Sequence, residues 1–246
     1  MIYIQSKEDS GILIPHHFDA ACAMYAAIEN GIKYRLTSFE EVQMGKFDGL
    51  IRSNMFVGSV EFMREVFGKI GKSPKVPHNS NRPHQIMSVY EVKNLVKAGL
   101  TPFIKPIEIK LFTGFVVDSL TIQSLNSFPD ELNVMVYSVF SDPILSEWRC
   151  YVHNGHIVDA RNYSGDFTIT PNFTWVDKTI VKSFCKENKF PCAYTVDVAV
   201  LDDMKQDSDY TEVIEFNDGW ALGAYGIDNT LYYRMLKDRY FEIIKS

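Results

Sequence analysis

From Thr101 onward the chain runs through one strand-like segment after another: TPFIKPIEIKLFTGFVV, ELNVMVYSVF, ILSEWRCYVHNGHIVDARNYSG, AYTVDVAVLD and TEVIEF. Only two helical patterns interrupt or close this run, Val176 to Asn188 and Asp228 to Ile244. Sequential strands joined by short polar turns form antiparallel sheets, so the second part is predicted as antiparallel-rich α+β. SEWRCYV and HIVDARNY flank His153, Asn154 and Gly155, a short glycine-containing connection typical of a hairpin. The first ~75 residues have a different texture, with strands alternating with helices in the manner of a small α/β layer. MIYIQ, YRLT and DGLIRS are predicted strands there, and Asp19–Asn30 and Val60–Ile70 are predicted helices. GKSPKVPHNSNRP, Gly71 to Pro83, is a predicted linker or surface loop, and Ser88 with Glu91 has capping-box spacing before the next helix.

Composition narrows the function classes. The net charge is −6, which excludes a generally basic surface for coating nucleic acid and leaves room only for a local basic groove. No apolar run approaches the ~20 residues of a membrane helix, and MIYIQSKEDSG has no secretory pattern. The four cysteines, Cys22, Cys150, Cys185 and Cys192, lack metal-type spacing and are expected to be reduced, which points to a cytoplasmic protein. Several familiar motifs fail. GKIGKS has Val66 where a phosphate-binding loop needs glycine, and it follows a helix instead of a strand. There is no GxSxG nucleophile turn. The adjacent His16 and His17 are expected at a helix start or in a loop.

Three segments carry chemistry. Asp197 sits in an otherwise apolar strand, and Glu215 and Asn217, two apart, share one face of the next strand. Two carboxylates and an amide oxygen are hard donors suited to Mg²⁺, although the same trio could be a strand end facing water. Lys105 lies in an apolar strand, with Lys110, Thr113 and Gly114 following. A lysine held in a cleft needs an anion, and phosphate is its commonest partner, whereas a lysine on a sheet edge can simply reach out to water. Arg149 and Arg161 fall on the two arms of the hairpin, with Glu147 beside Arg149. They suit bidentate anion binding or a plain cross-strand arrangement of solvated charges.

Taken in chain order, these segments resemble the ATP-grasp superfamily, above all the clade named for two arginines and a lysine, common in phage and bacterial proteins. The resemblance covers Pro102 to the C-terminus and is most specific in EWR…R and VDVAVL…VIEFNDGWALGAYG. It implies an ATP-grasp domain over residues 76–246, two α+β lobes gripping the nucleotide, preceded by a small α/β pre-ATP-grasp domain over 1–75. It also implies that Lys105 contacts the nucleotide phosphates with Lys110 as a second candidate, and that Thr113 and Gly114 form a mobile phosphate loop. Val136, Tyr137, Ser138, Val139 and Phe140 would be the hinge that bonds adenine, and Glu147 a ribose or hinge contact. Arg149 and Arg161 would sit near the γ-phosphate, and Asp197, Glu215 and Asn217 would be the metal triad.

The chain departs from the superfamily at Thr195, where many ligases carry arginine, and at DGWALGAYG, which replaces the usual small-residue loop. The implied activity is an ATP- and Mg²⁺-dependent carboxylate–amine ligase that forms an acyl phosphate. Its substrates would be small-molecule or peptide acids and amines, with no membrane or nucleic-acid partner. The alternatives are an ATP-dependent phosphotransferase on the same fold and a non-catalytic nucleotide-binding module. Trp220, Tyr225 and the stretch His78 to His84 are candidates for the acceptor side, although aromatic packing accounts for Trp220 and Tyr225 equally well.

Overall fold

A computed structural model describes residues 1–74, 84–107, 111–140, 142–203 and 208–246. By contact the chain divides into two compact units, one of Met1–His78 with Ile144–Ser246 and one of Asn79–Pro143. In the larger unit, β1 (Ile2–Asp9) pairs in parallel with β3 (Tyr34–Thr37) and β4 (Met55–Val57), and antiparallel with β2 (Ile12–Pro15). Helix α1 (Phe18–Glu29) connects within this layer, α2 (Phe39–Gln43) follows β3, and α3 (Val60–Gly68) follows β4. His17 starts α1, its Nδ1 accepting the Ala20 amide, so the histidine pair does mark a helix start. The segment DGLIRS is not the expected strand. Asp48–Leu50 form a 3-10 turn that rolls Ile51 into the core, and the strand is the next apolar triplet, β4, buried at every position.

The second sheet of this unit is antiparallel, built from β9 (Ile144–His153), β10 (His156–Gly165), β11 (Ala193–Asp203) and β12 (Ser208–Asp218) in the order β10-β9-β11-β12. β9 and β10 form the expected hairpin, with Asn154 and Gly155 at positive φ in its turn. One face of the sheet carries Cys150, Val152, Tyr194, Val196, Val198 and Phe216. Helix α5 covers that face; it begins at Phe173–Trp175 and continues as a π-helix over Val176–Cys185. Tyr151 and Ala193 belong to a different core, shared with Ile2, Ile4 and Phe56 of the first sheet and with Tyr232, Met235 and Tyr240 of the closing helix α6 (Asn229–Lys245). A Tyr240 hydroxyl bond to the Ile51 carbonyl at 2.8 Å ties α6 to the N-terminal layer. The N-terminal layer therefore shares its core with the C-terminal helix.

The smaller unit is a sheet of β5 (His84–Ser88), β6 (Phe103–Pro106), β7 (Phe115–Val116) and β8 (Asn133–Tyr137) in the order β5-β8-β6-β7. Helix α4 (Val89–Lys97) packs its Val89 and Val92 with Ile104, Val134 and Val136 of the sheet. The capping box read from sequence is present, Ser88 and Glu91 bonding reciprocally at the start of α4. Of the expected linker Gly71 to Pro83, residues 71–74 are described and continue irregularly from the end of α3; the rest lies outside the described residues, as does Lys110.

Two glycines of the β9–β10 hairpin separate backbone conformation from crowding. Gly155 has φ +77° and open space around its missing side chain, whereas Gly165 has φ +74° and a Cβ there would strike the Leu145 carbonyl. Gly155→Ala is expected to cost about 1–2 kcal/mol from the left-handed backbone alone. Gly165→Ala should cost clearly more, read as a larger drop in urea midpoint, and equal losses would contradict this packing.

Candidate functional site

β11 is buried along nine successive residues, as expected of a central strand, yet it carries a carboxylate. Asp197 is 1% exposed. An isolated charge there would be costly to bury, and the neighbouring strand supplies its partner. Arg149 of β9, 8% exposed, donates from Nε and a terminal guanidinium nitrogen to the two Asp197 oxygens at 2.8 and 2.7 Å. This fork-to-fork pairing is the strongest geometry available to the two groups. Burial would lower the Arg149 pKa, but the hydrogen bonds and charge of Asp197 outweigh it and raise the pKa above its ordinary value.

The register extends the pair into a row. Arg161 stands opposite Arg149, Arg149 opposite Asp197, and Asp197 opposite Glu215, so one residue from each of the four strands lies on the same face. Asn217 is on that face one pair along, its amide nitrogen 3.1 Å from an Asp197 oxygen and 3.5 Å from a Glu215 oxygen. The next row reads Asp159, Tyr151, Thr195, Asn217. Asp159 receives the Arg161 guanidinium at 2.7 and 3.0 Å. The Thr195 hydroxyl is fully buried and has no hydrogen-bond partner among the described residues. The structure therefore brings together Arg149, Arg161, Asp197, Glu215 and Asn217. It places Arg149 on a carboxylate instead of leaving it open to an anion, while Arg161 is half-exposed.

Glu147, on the same face of β9, accepts the Tyr163 hydroxyl at 3.0 Å. Burial, then the nearby Asp197 and Glu147 charges, push the Tyr163 phenol above its ordinary pKa, so it stays a donor. Tyr163 and Asp159 are the residues that the sequence reading missed. Their signal was present, since Asp159, Arg161 and Tyr163 recur every second residue along one hairpin arm.

The segment 219–227 is held rigidly. The Tyr151 hydroxyl reaches the Gly223 and Ala224 carbonyls, both at 2.7 Å, and Asp19 accepts the Ala224 amide, also at 2.7 Å. Tyr225 emerges from it at φ +42°, half-exposed, with the Arg149 guanidinium carbon 4.9 Å from its ring centre and the Tyr163 ring 5.4 Å away. Trp220 instead packs edge-on against Phe67 in the core.

In the smaller unit, Lys105 pairs with Met135 across β6 and β8, on the sheet face opposite α4. Its ammonium lies 5.8 Å from the Phe103 ring centre and 6.0 Å from that of Tyr137. Gly114 crosses directly over this side chain, and a Cβ there would meet Lys105 Cγ and Phe103 Cζ, each at 2.8 Å. Thr113 beside it is exposed. Val136, Tyr137, Ser138 and Val139 of the expected hinge line a cleft of about 570 Å³ with Met87 and Leu95, while Phe140 is not among its lining residues.

Asp197, Glu215 and Asn217 carry the oxygen donors that a hard divalent cation takes and lie on one sheet face beside the orphaned Thr195 hydroxyl, with Asn217 turning its amide nitrogen toward both carboxylates. Removing Arg149 would strand the Asp197 charge in the interior. Arg149→Met is expected to destabilise the protein by about 3–5 kcal/mol. Arg149→Met combined with Asp197→Leu should recover much of that loss in a thermal melt. If the double variant is as unstable as the single one, the pair is not what holds this strand junction.

A sequence model of the ATP-grasp domain, for the second family of the clade named for two arginines and a lysine, matches residues 84–235, more than half of the chain. No curated protein sequence matches. Among solved structures, the RimK-domain ATP-grasp protein of Sphaerobacter thermophilus superimposes with a TM-score of 0.50 at 10% identity, covering 99% of this chain and 98% of its own. The ATP-grasp ligase PsnB complexed with a minimal precursor gives 0.51 at 10% identity, covering 96% and 98%. N5-carboxyaminoimidazole synthetase from Staphylococcus aureus gives 0.51 at 9% identity, covering 98% of this chain and 77% of its own. At such identities the likeness is one of fold. The chain belongs to the ATP-grasp domains of the two-arginine-and-lysine clade, in the second family of that clade.

Proposed function

We propose that the protein is an ATP-dependent carboxylate–amine ligase that works through an acyl phosphate. The observation that carries this reading is the cross-strand row Arg161–Arg149–Asp197–Glu215 with Asn217 beside it, a set of opposed charges on one face of a sheet whose other face is apolar. Asp197, Glu215 and Asn217 are the residues that would hold Mg²⁺, which when bound neutralises phosphate charge. Arg149 acts on Asp197, fixing the direction of its carboxylate inside the strand. Arg161 has the exposure to meet an anion, and Asp159 sets the plane of its guanidinium. Lys105 is assigned to the nucleotide phosphates and the Val136–Phe140 run to adenine. Lys110 remains the second phosphate candidate, and residues 1–75 are assigned as the pre-ATP-grasp segment.

In the first step a substrate carboxylate oxygen attacks the γ-phosphorus of ATP and the bond to the β-phosphate oxygen breaks, giving acyl phosphate and ADP. An amine then attacks the acyl carbon, phosphate leaves and the nitrogen loses a proton, giving the amide. No covalent protein nucleophile is required, because positioning and charge neutralisation are what phosphoryl transfer needs from a protein. Tyr225, rising beside Arg149, is assigned to the acceptor side.

The test is ADP release measured against mixtures of amino acids and short peptides. Glu215→Gln is expected to lower turnover by at least about a hundredfold, the scale typical of removing one charge-stabilising group. Near-normal turnover in that variant would contradict the metal assignment. An amide with free phosphate among the products supports the ligase, and a stable phosphorylated product would reassign the protein as a phosphotransferase.

A further inference from the structure

On the far face of the same sheet lies a second cleft, of about 540 Å³. Its walls are the turn of the β9–β10 hairpin, the end of α5 and the connection into β11, held together by the Asn154 amide bond to the Cys192 carbonyl at 2.7 Å. Tyr194 lines it from β11, and Tyr194 shares the apolar face with Val196 and Val198. The cleft is therefore on the opposite side of the sheet from Asp197 and Thr195. The cationic side chains Lys182, Lys186 and Lys189 line it with His156, and no acidic residue does.

In a chain of net charge −6 that concentration is not what composition supplies. Lys182 is offset by Asp177 at 2.6 Å, but the ammonium groups of Lys186 and Lys189 have no hydrogen-bond or ion partner among the described residues. Glu187, the nearest acid in sequence, accepts a bond from Ser183 at 3.3 Å. The helix dipole accounts for lysines in a last turn. It does not account for a lysine, in place of the usual glycine or asparagine, at position 189, where the helix ends in a left-handed residue at φ +53°. Nor does it account for α5 closing the cleft as a ten-residue π-helix, a form that is rare and gathers at functional sites. Phe190, Pro191 and Tyr194 supply an apolar wall beside the charges.

We propose that this cleft binds a small polyanion, a ligand carrying two or more carboxylate or phosphate groups, through Lys186, Lys189 and Lys182, at a site separate from the catalytic row. The volume suits a small molecule and not a nucleic-acid duplex. The inference does not depend on the ligase reading, since none of its residues takes part there.

The test is isothermal titration of the full chain with pyrophosphate and, separately, with citrate. Lys186→Glu/Lys189→Glu is compared with the charge-matched pair Lys178→Glu/Lys245→Glu, and thermal melts verify folding. Saturable binding of at least one probe is expected, weakened at least about tenfold by the first pair and by less than about twofold by the second. Binding of pyrophosphate alone identifies phosphate as the preferred group, and binding of citrate alone identifies carboxylate. No binding of either probe up to about ten millimolar would overturn the proposal. So would equal weakening by the two pairs. Lys186→Gln/Lys189→Gln should reproduce the loss in milder form, and unchanged affinity there would also count against it.

Discussion

A carboxylate in the middle of a fully buried strand needs a fixed counter-charge, and the pairing of Asp197 with Arg149 is the constraint around which the larger unit is arranged. It sets the register between β9 and β11, because a slip of one residue would turn one of the two charges into the apolar face under α5 and part it from its partner. It also puts Glu215 and Arg161 at the ends of the same row, so a polar face arises on a sheet whose other face is core. Tyr225 and the tethered segment 219–227 lie against the guanidinium, which adds a third side to its surroundings.

This arrangement sets the two hairpin arginines apart. Arg149 is buried and committed to a carboxylate, which fixes the direction of Asp197. Arg161 is half-exposed and braced by Asp159, which suits it to an incoming anion. The DGWALGAYG stretch likewise departs from a small, yielding loop. Bonds from Tyr151, Tyr232 and Asp19 fix its backbone, and one aromatic ring, Tyr225, projects from it at positive φ. Non-glycine residues at positive φ tend to persist where the surroundings over-determine them, and functional sites are where such strain gathers.

Much of this was legible in the sequence. The hairpin, the capping box of α4, the closing helix and the face shared by Glu215 and Asn217 all follow from periodicity and turn chemistry, which are local signals. The family too could be read, because its residue types recur in a fixed chain order. What escaped was set by tertiary packing. DGLIRS has the composition of a strand, yet Ile51 reaches the core through a turn, and three residues at Met55–Val57 are too short a run to stand out. The commitment of Arg149 to Asp197 depends on β9 lying beside β11, which neither segment announces. The sharing of one core between residues near the N-terminus and α6 is likewise a long-range fact that no window of sequence contains.

The proposed ligase activity requires that ATP bind with a divalent cation and that Lys105 meet the phosphates. The most direct measurement is isothermal titration of ATP into the full chain with and without Mg²⁺, repeated on Lys105→Ala. Binding that strengthens with Mg²⁺ and is lost in the variant is expected. Absence of binding to the wild type at about millimolar ATP, or binding indifferent to both Mg²⁺ and Lys105, would contradict it.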